Sequence, residues 1–182
     1  DGNSFDEIIE IGAVKTDEEY RQIDGFRRLI RPVIYRKMNP YIQKILAITM
    51  KDLQGEEPLA AVAKVFFDWC GDCDTLIAWS GNDFGVLEKN LAHIGMKIPE
   101  QLGRYDVQMA YAYRTENSIR NYALKTAVEA MELPEPEGQE YHDAYCDAQF
   151  TAAIGRALTE RYGPLPAVEE LQALKNTLVK PK

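Results

Sequence analysis

Short apolar runs alternate with helical periodicities along the chain. Ile8 to Val14 is an apolar run with β-branched residues that predicts a strand, and a charged turn at Asp17 separates it from a second strand over Tyr20 to Ile30. Two strands joined by so short a turn form an antiparallel hairpin. Two more short strands are predicted at Thr75 to Trp79 and at Gly103 to Asp106.

Helical patterns lie between and after these strands. Pro58 stands at the first position of a helix through Trp69 that places Leu59, Val62, Val65 and Phe66 on one face. The other predictions are short helical pieces over Met38 to Leu53 with a cap at Thr49, and helices over Phe84 to Ile94, Val107 to Tyr113, Ser118 to Met131 with Ser118 as cap, about Ala144 to Tyr162, and Ala167 to Leu178. The order predicts an α/β fold with a mixed sheet and helices on both faces.

Composition limits the classes of function. A chain of 182 residues fits one domain, and its net charge of −8 argues against a basic surface that coats nucleic acid without specificity. No apolar run reaches membrane-spanning length and no signal-peptide pattern is present, so we expect a soluble, cytoplasmic protein with no membrane partner. Cys70 and Cys73 have the spacing of a redox or zinc half-site, but no second pair accompanies them and the spacing favours an incidental pair.

The stretch around His142 carries candidate chemistry. His142 precedes a predicted helix and Asp147 lies about one turn inside it, while Ala144, Ala148 and Ala152 form a small-sided stripe that lets the helix approach a sheet closely. An imidazole beside a carboxylate able to hold a metal can activate water. Alternatively, the pair is a surface histidine and a solvated acid at a helix start.

Two further acids follow predicted strands. Asp83 comes after an apolar strand, at the end where α/β sheets place their ligands. Asp106 occupies a similar position after Tyr105. Each also fits a helix N-cap, and for Asp106 the cap is the better interpretation.

Several segments, in order, resemble the DnaQ-like 3′–5′ exonucleases of the DEDDh type. The branch that they resemble contains the histone-mRNA 3′ exonuclease and bacterial sporulation-inhibitor-like proteins. The matching segments are Asp6 to Val14, Arg31-Pro32 with Met38 to Ile42 and Ile48-Thr49, Trp79 to Asp83, and Ser118 to Asn121 leading to the His-x-Ala-x-x-Asp-Ala pattern of 142–148. The likeness covers roughly residues 6 to 158, and several motifs in the family's order are far more specific than one.

This resemblance implies a fold and a mechanism. The fold is a ribonuclease H-like mixed β-sheet flanked by helices on both faces, with an exonuclease domain over 1–163 and a C-terminal helix and tail over 164–182. Asp83 and Asp147 would hold part of a pair of Mg²⁺ or Mn²⁺ ions, and His142 would be the general base. Single-stranded 3′ ends would be hydrolysed to nucleoside monophosphates, with RNA favoured over DNA.

The chain departs from the family at one point. The first motif, an Asp-x-Glu on a strand before Asp6, is absent, and with it two of the family's four metal-binding acids. That strand is central in the family, so its absence would leave two open strand edges facing each other. We therefore expect the natural protein to have upstream residues that supply it.

Substrate contacts are predicted more broadly. Arg120 and Arg114 lie near the motifs, and a basic cluster (Arg27, Arg28, Arg31, Arg36 and Lys37) either guides a phosphate backbone or is a solvated strand face. Trp79 and Tyr141 could stack on a terminal base, although packing in the core is the commoner use of such rings.

Two other interpretations compete with a nuclease. The first is a catalytically inactive exonuclease-like module that binds nucleic acid or protein, which the missing acids motivate. The second is an unrelated α/β interaction domain in which the His-x-Ala-x-x-Asp pattern arises by chance. The number of matching segments argues against the second.

Overall fold

Four short strands form two separate pairs. The computed structural model describes residues 5–46, 48–134 and 143–178, in which β1 (Glu10–Thr16) pairs antiparallel with β2 (Gln22–Leu29), and β3 (Thr75–Ala78) pairs parallel with β4 (Gly103–Asp106). The α/β class and the antiparallel orientation of β1 and β2 are as predicted. The strands lie in two two-stranded sheets, so within the described ranges no hydrogen bonds join β1 to β3.

The hairpin is shifted about two residues along the chain from its predicted start. Its turn is organised by Asp17, whose carboxylate accepts hydrogen bonds from the backbone N–H groups of Glu19 (3.0 Å) and Arg21 (2.9 Å). Tyr20 completes the reversal with a left-handed φ of 61°. Because this polar network sets the turn, β1 extends up to it and β2 begins directly after it, so the strand bounds do not follow the apolar run alone.

Eight helices lie in the described ranges. They are α1 (Pro40–Leu46), α2 (Met50–Leu53), α3 (Leu59–Cys70), α4 (Gly81–His93), α5 (Val107–Glu116), α6 (Leu124–Ala130), α7 (Ala144–Tyr162) and α8 (Val168–Leu178). Thr49 caps α2 as predicted, in a reciprocal capping box with Asp52. Pro58 lies one residue before α3 and not inside it. Val65, which the pattern placed on the apolar face of this helix, is 46% exposed, and Ala63 is buried instead.

The predicted helix over Ser118 to Met131 is wrong in its first half. The structure has α6 only from Leu124, and Ser118 does not cap it. Asn117 ends α5 in the left-handed conformation, and the Tyr122 carbonyl accepts hydrogen bonds from the Trp79 indole (3.1 Å) and the Gln108 amide (2.8 Å). These contacts hold the segment in a non-helical path.

The hairpin lies between two helices. Ile11, Ala13 and Phe26 face α3, where the ring of Phe26 lies 5.3 Å from that of Phe66. Successive residues of a strand point to opposite faces, so Gly12 and Gly25 face α7. There, a Cβ atom on Gly12 would overlap the backbone of Tyr145. The close approach that was expected from the alanines of α7 is thus made possible by glycine on the strand.

A second buried cluster joins the C-terminal helices. It is built from α5, α6, α7 and α8, with Val107, Val128, Ile154 and Leu158 completely buried and Leu171 nearly so. None of the helices in the described ranges combines the length and apolar character needed to cross a membrane.

Candidate active site

Asp83 lies in the first turn of α4, just after β3. Ser80 is the N-cap of this helix, and its hydroxyl accepts a hydrogen bond from the Asn82 N–H (3.2 Å). The Asp83 carboxylate accepts in return from the Ser80 N–H (3.3 Å), which completes a capping box. Asp83 is therefore at the third helical position, not at the cap itself.

Asp106 shares this end of the β3–β4 pair. Its carboxylate caps α5 by accepting from the Met109 N–H (2.9 Å) and also accepts from the Gly81 N–H (2.8 Å), as the cap interpretation predicted. Asp83 is exposed as a whole residue, but burial of its carboxyl group by neighbouring atoms raises the pKa of that group. The Ser80 hydrogen bond opposes this, and the Asp106 charge adds to it. Two carboxylates thus lie at one helix mouth.

Asp147 lies in the first turn of α7, whose start packs on β1. Asp143 is the N-cap, with its carboxylate accepting from the N–H groups of Tyr145 (3.1 Å) and Cys146 (3.0 Å). Asp143 also forms an ion pair with Arg27. The helix beginning and the first-turn position of Asp147 are as predicted, while the cap residue was not identified from the sequence.

Arg27 links α7 to the hairpin. Besides Asp143, its guanidinium pairs with Glu10 (2.9 Å), whose side chain is only 7% exposed. Arg31 donates to the Glu56 carbonyl (3.1 Å), and Arg28 lies over the Phe26 ring. These three members of the basic cluster therefore have structural partners, whereas Arg36 and Lys37 lie on an exposed loop beyond the hairpin.

The predicted substrate residues have varied surroundings. Trp79 is half-buried, packs against the C-terminal core and donates to the Tyr122 carbonyl, which fits the packing interpretation. Arg114 donates to the Pro164 carbonyl (2.6 Å), and Arg120 is exposed with its guanidinium 5.8 Å from the Tyr122 ring. His142 and Tyr141 lie outside the described residues, as does the rest of 135–142.

The donor groups for a metal are only partly present. Carboxylate oxygens such as those of Asp83 suit Mg²⁺ or Mn²⁺, and the repulsion between Asp83 and Asp106 is of a kind that a cation relieves. Across 5–46, 48–134 and 143–178, however, no three His, Cys, Asp or Glu residues cluster closely enough to hold an ion. Cys70, Cys73 and Cys146 are free thiols, so the Cys70–Cys73 spacing makes no disulfide.

Two positioning residues were missed from the sequence. Asn90 is buried and its side chain accepts from the Ile8 N–H (3.1 Å) and donates to the Asp6 carbonyl (2.7 Å), so α4 holds the segment before β1. Asp143 had a sequence signal, because it directly precedes the helix start at Ala144 and acids are favoured N-caps. For Asn90, no local signal identifies this role, since the two groups that it holds before β1 are more than eighty residues away.

Comparison with known proteins agrees with this architecture. The exonuclease family RNase T matches residues 2–154. No curated protein sequence matches the chain.

Solved structures show the same fold at low identity. Exonuclease X in complex with 5′ overhanging duplex DNA is 20% identical, with a TM-score of 0.65 over 92% of this chain and 90% of its own. The nuclease domain of 3′hExo, a DEDDh family member bound to rAMP, is 16% identical, with a TM-score of 0.73 over 91% and 87%. A 3′-exonuclease that recognises the histone mRNA stem-loop is 15% identical, with a TM-score of 0.77 over 87% and 74%. The chain therefore belongs to the RNase T family of exonucleases, as its resemblance to the DnaQ-like enzymes implied.

Proposed function

We propose that the protein is a 3′–5′ exonuclease that removes nucleoside monophosphates from single-stranded 3′ ends. Family membership supports a nuclease. Two of the similar structures were solved with rAMP or as a complex with the histone mRNA stem-loop, which supports RNA as the favoured substrate, while that of Exonuclease X holds duplex DNA. We propose single-stranded ends because the resemblance to the DnaQ-like exonucleases implies them.

The observation that carries the proposal is the placement of the two acids. Asp83 and Asp147 each lie in the first turn of a helix, at the positions that the resemblance assigns to metal ligands. The N-terminus of a helix carries a partial positive charge, which favours ionised carboxylates and phosphate groups there. The first turn of each helix therefore offers a carboxylate that can hold a cation next to a bound phosphate.

His142 is proposed as the general base. It immediately precedes Asp143, the N-cap of α7, so the imidazole would lie at the mouth of the helix that carries Asp147. A pair of divalent ions, Mg²⁺ or Mn²⁺, would supply Lewis acidity at the scissile phosphate. His142 would accept the proton of the attacking water, and the charged carboxylates would keep the two ions in place.

A further strand between β1 and β3 is also proposed. Within the described ranges, β1 pairs only with β2 and β3 only with β4, and Ile77 of β3 is 40% exposed although its strand is apolar. An additional strand would cover both edges and supply an Asp-x-Glu. Amide hydrogen exchange in β1 and β3 should then be slower in the full-length gene product than in residues 1–182. Equal exchange rates, or a gene with no Asp-x-Glu upstream, would contradict this arrangement.

Product analysis tests the proposed reaction. Full-length protein with Mg²⁺ or Mn²⁺ should shorten a 5′-labelled single-stranded RNA one nucleotide at a time, and a 3′-phosphate should block it. His142→Ala should lower turnover about 10²-fold or more, the scale of losing a general base. His93→Ala is the matched control, because His93 lies at the far end of α4 and should keep full rate. Equal turnover by His142→Ala would remove the assigned role.

The alternative is an inactive exonuclease-like module that binds nucleic acid or protein. The lack of a three-residue metal cluster in the described part of the chain favours it. Such a module would bind RNA with unchanged affinity in EDTA and release no nucleotides in any metal. Nucleotide release that depends on Asp147 excludes it.

A further inference from the structure

Residues 33–46 form an unusually exposed apolar surface, which we call the basic aromatic segment. Val33 is 61% exposed, Tyr35 46%, Tyr41 69% and Ile42 40%. The helix within the segment, α1, has no buried residue at all. Contiguous exposed apolar side chains of this kind mark interaction sites on soluble domains.

The charge of the segment is opposite to that of the chain. Arg36, Lys37 and Lys44 are exposed, and no acidic residue occurs from Val33 to Leu46, although the chain carries a net charge of −8. Exposed cations interleaved with tyrosines are complementary to a phosphate backbone with accessible bases. An anionic lipid surface would also contact cations and aromatic rings. We take nucleic acid as the occupant because it is the ligand of the proposed nuclease, and lipid is the competing outcome of the test.

The backbone of the segment is fixed by groups outside this surface. The Glu7 carboxylate accepts hydrogen bonds from three successive N–H groups, those of Val33 (2.5 Å), Ile34 (3.0 Å) and Tyr35 (2.9 Å). Asn39 then starts α1, with its side chain accepting from the Tyr41 N–H (2.8 Å). Because the main chain is held by Glu7 and Asn39, the tyrosines and cations remain available for a ligand.

We propose that the basic aromatic segment is a docking surface for single-stranded nucleic acid. Tyr35 and Tyr41 would stack on bases, while Arg36, Lys37 and Lys44 would contact phosphates. The inference rests on the proposed function for the identity of the ligand. It adds a binding surface separate from the acids of α4 and α7, so it can fail while the nuclease assignment stands.

Binding without cleavage tests the surface directly. A fluorescent single-stranded RNA with a blocked 3′ end is titrated with the full-length protein in EDTA, and anisotropy gives Kd. Tyr35→Ala and Tyr41→Ala should each weaken binding about tenfold, the lower range for one stacked base. Tyr162→Ala is the matched control, because Tyr162 is a 44% exposed tyrosine at the end of α7.

The cations are tested through salt dependence. Replacing Arg36, Lys37 and Lys44 together by Ala should reduce the slope of log Kd against log salt by about 2, since each phosphate contact contributes about 0.7 on a single strand. A control with Lys64→Ala and Lys89→Ala, both exposed on α3 and α4, should keep the wild-type slope. If the triple variant and the control have the same slope of log Kd against log salt, the proposal is overturned. Vesicles of phosphatidylserine and phosphatidylcholine that bind through these residues, while RNA does not, would overturn it too.

Glu7 gives an independent check with a distinct sign. Glu7→Ala removes a negative charge, but it also releases three backbone N–H groups. We expect weaker RNA binding with an unchanged salt slope, because the phosphate contacts remain while their geometry loosens. Tighter binding would mean that Glu7 only repels phosphate, and the ordered display of the segment would be wrong. If the wild-type protein binds RNA but releases no nucleotides, that result would contradict the proposed function and leave the docking surface in place.

Discussion

The starts of α4 and α7 both carry a predicted metal-binding acid, yet they are built differently. At α4 the acid is part of the cap, because Asp83 accepts from Ser80 three residues earlier. At α7 another acid, Asp143, is the cap, and Asp147 lies beyond it in the first turn. A predicted metal-binding acid can therefore take part in capping its own helix, as Asp83 does, or lie beyond a cap that another acid forms, as Asp147 does.

The two ends also differ in the range of the contacts that hold them. The start of α4 depends on its own loop and on Asp106 of the adjacent strand. The start of α7 depends on the hairpin, through the close approach at Gly12, the Arg27–Asp143 ion pair and a hydrogen bond from Gln22 to Tyr145 (2.8 Å). We therefore expect changes in the hairpin to affect the site through α7 more than through α4.

The largest expected effect is on catalysis. Asn or Ala at position 83 or 147 should lower turnover at least about 10²-fold, since each change removes a proposed metal ligand. The effect of these changes on the free energy of unfolding should differ between the two positions. The Asn side chain in Asp83→Asn keeps an oxygen that can accept from the Ser80 N–H. The unfolding free energy of Asp83→Ala should therefore be about 1 kcal/mol lower than that of Asp83→Asn.

At position 147 the order should reverse. Asp143 already caps α7, and Ala has the higher helix propensity, so Asp147→Ala should be about 0.5 kcal/mol more stable than Asp147→Asn. Urea unfolding of the four variants checks both orders. If Asn were the more stable replacement at both positions, the contrast between the two helix starts would be wrong.

Gly12→Ala should have the next largest effect. A Cβ atom there would overlap main-chain atoms of Ala144 and Tyr145, so α7 would have to move away from β1. Overpacking against backbone costs about 1–3 kcal/mol. Gly25→Ala is the graded comparison and should cost less, because its Cβ would meet the end of the Tyr145 ring, which can rotate away at the loss of its hydrogen bond from Gln22. Equal unfolding free energies for the two variants would show that α7 does not depend on this approach.

Local signals made much of the fold predictable. The Thr49 cap, the bounds of α7 and the antiparallel hairpin depend on residues close together in the sequence. The first half of the helix predicted from Ser118 failed because Trp79 and Gln108 bind the Tyr122 carbonyl from distant positions.

For the candidate site too, features set by nearby residues were predictable and features set by distant residues were not. The first-turn position of Asp147 was predictable from the expected helix start near Ala144. Asp83 was expected in the turn before a helix from Phe84, but α4 begins at Gly81 and so places Asp83 in its first turn. The pairing of Asp143 with Arg27 spans 116 residues, and Glu7 binds N–H groups 26 to 28 residues away. No local pattern encodes such partners, because they meet only when the hairpin packs on its neighbours.

Removal of Arg27 should have a smaller effect. Arg27→Ala leaves the carboxylate of Glu10, which is nearly buried, without its ion pair and also removes the link to α7. Because the guanidinium is half exposed, we expect a loss of only about 1 kcal/mol. Arg21→Ala, which breaks an ion pair confined to the exposed turn, is the control and should change stability by less than about 0.5 kcal/mol. Thermal unfolding of the two variants compares them, and equal losses would deny Arg27 its linking role.

The smallest effect concerns thiol reactivity at the start of α7. Burial raises the pKa of Cys146 to about 11, and Asp143 adds to the shift. Burial also raises the pKa of Cys70 to about 11. At pH 8 both thiols should remain almost wholly protonated, so iodoacetamide should modify the more exposed Cys73 first. Mass spectrometry of timed samples checks this order, and early modification of Cys146 would show that the helix start is open to solvent.

Manganese binding tests the central claim, that Asp83 and Asp147 serve one cation site. Calorimetric titration of the full-length protein with Mn²⁺ would compare wild type, Asp83→Asn, Asp147→Asn and the exposed control Asp68→Asn on α3. We predict equal affinities for wild type and Asp68→Asn, and a loss of about tenfold or more in each of the other two. Wild-type affinity in both Asp83→Asn and Asp147→Asn would contradict the claim.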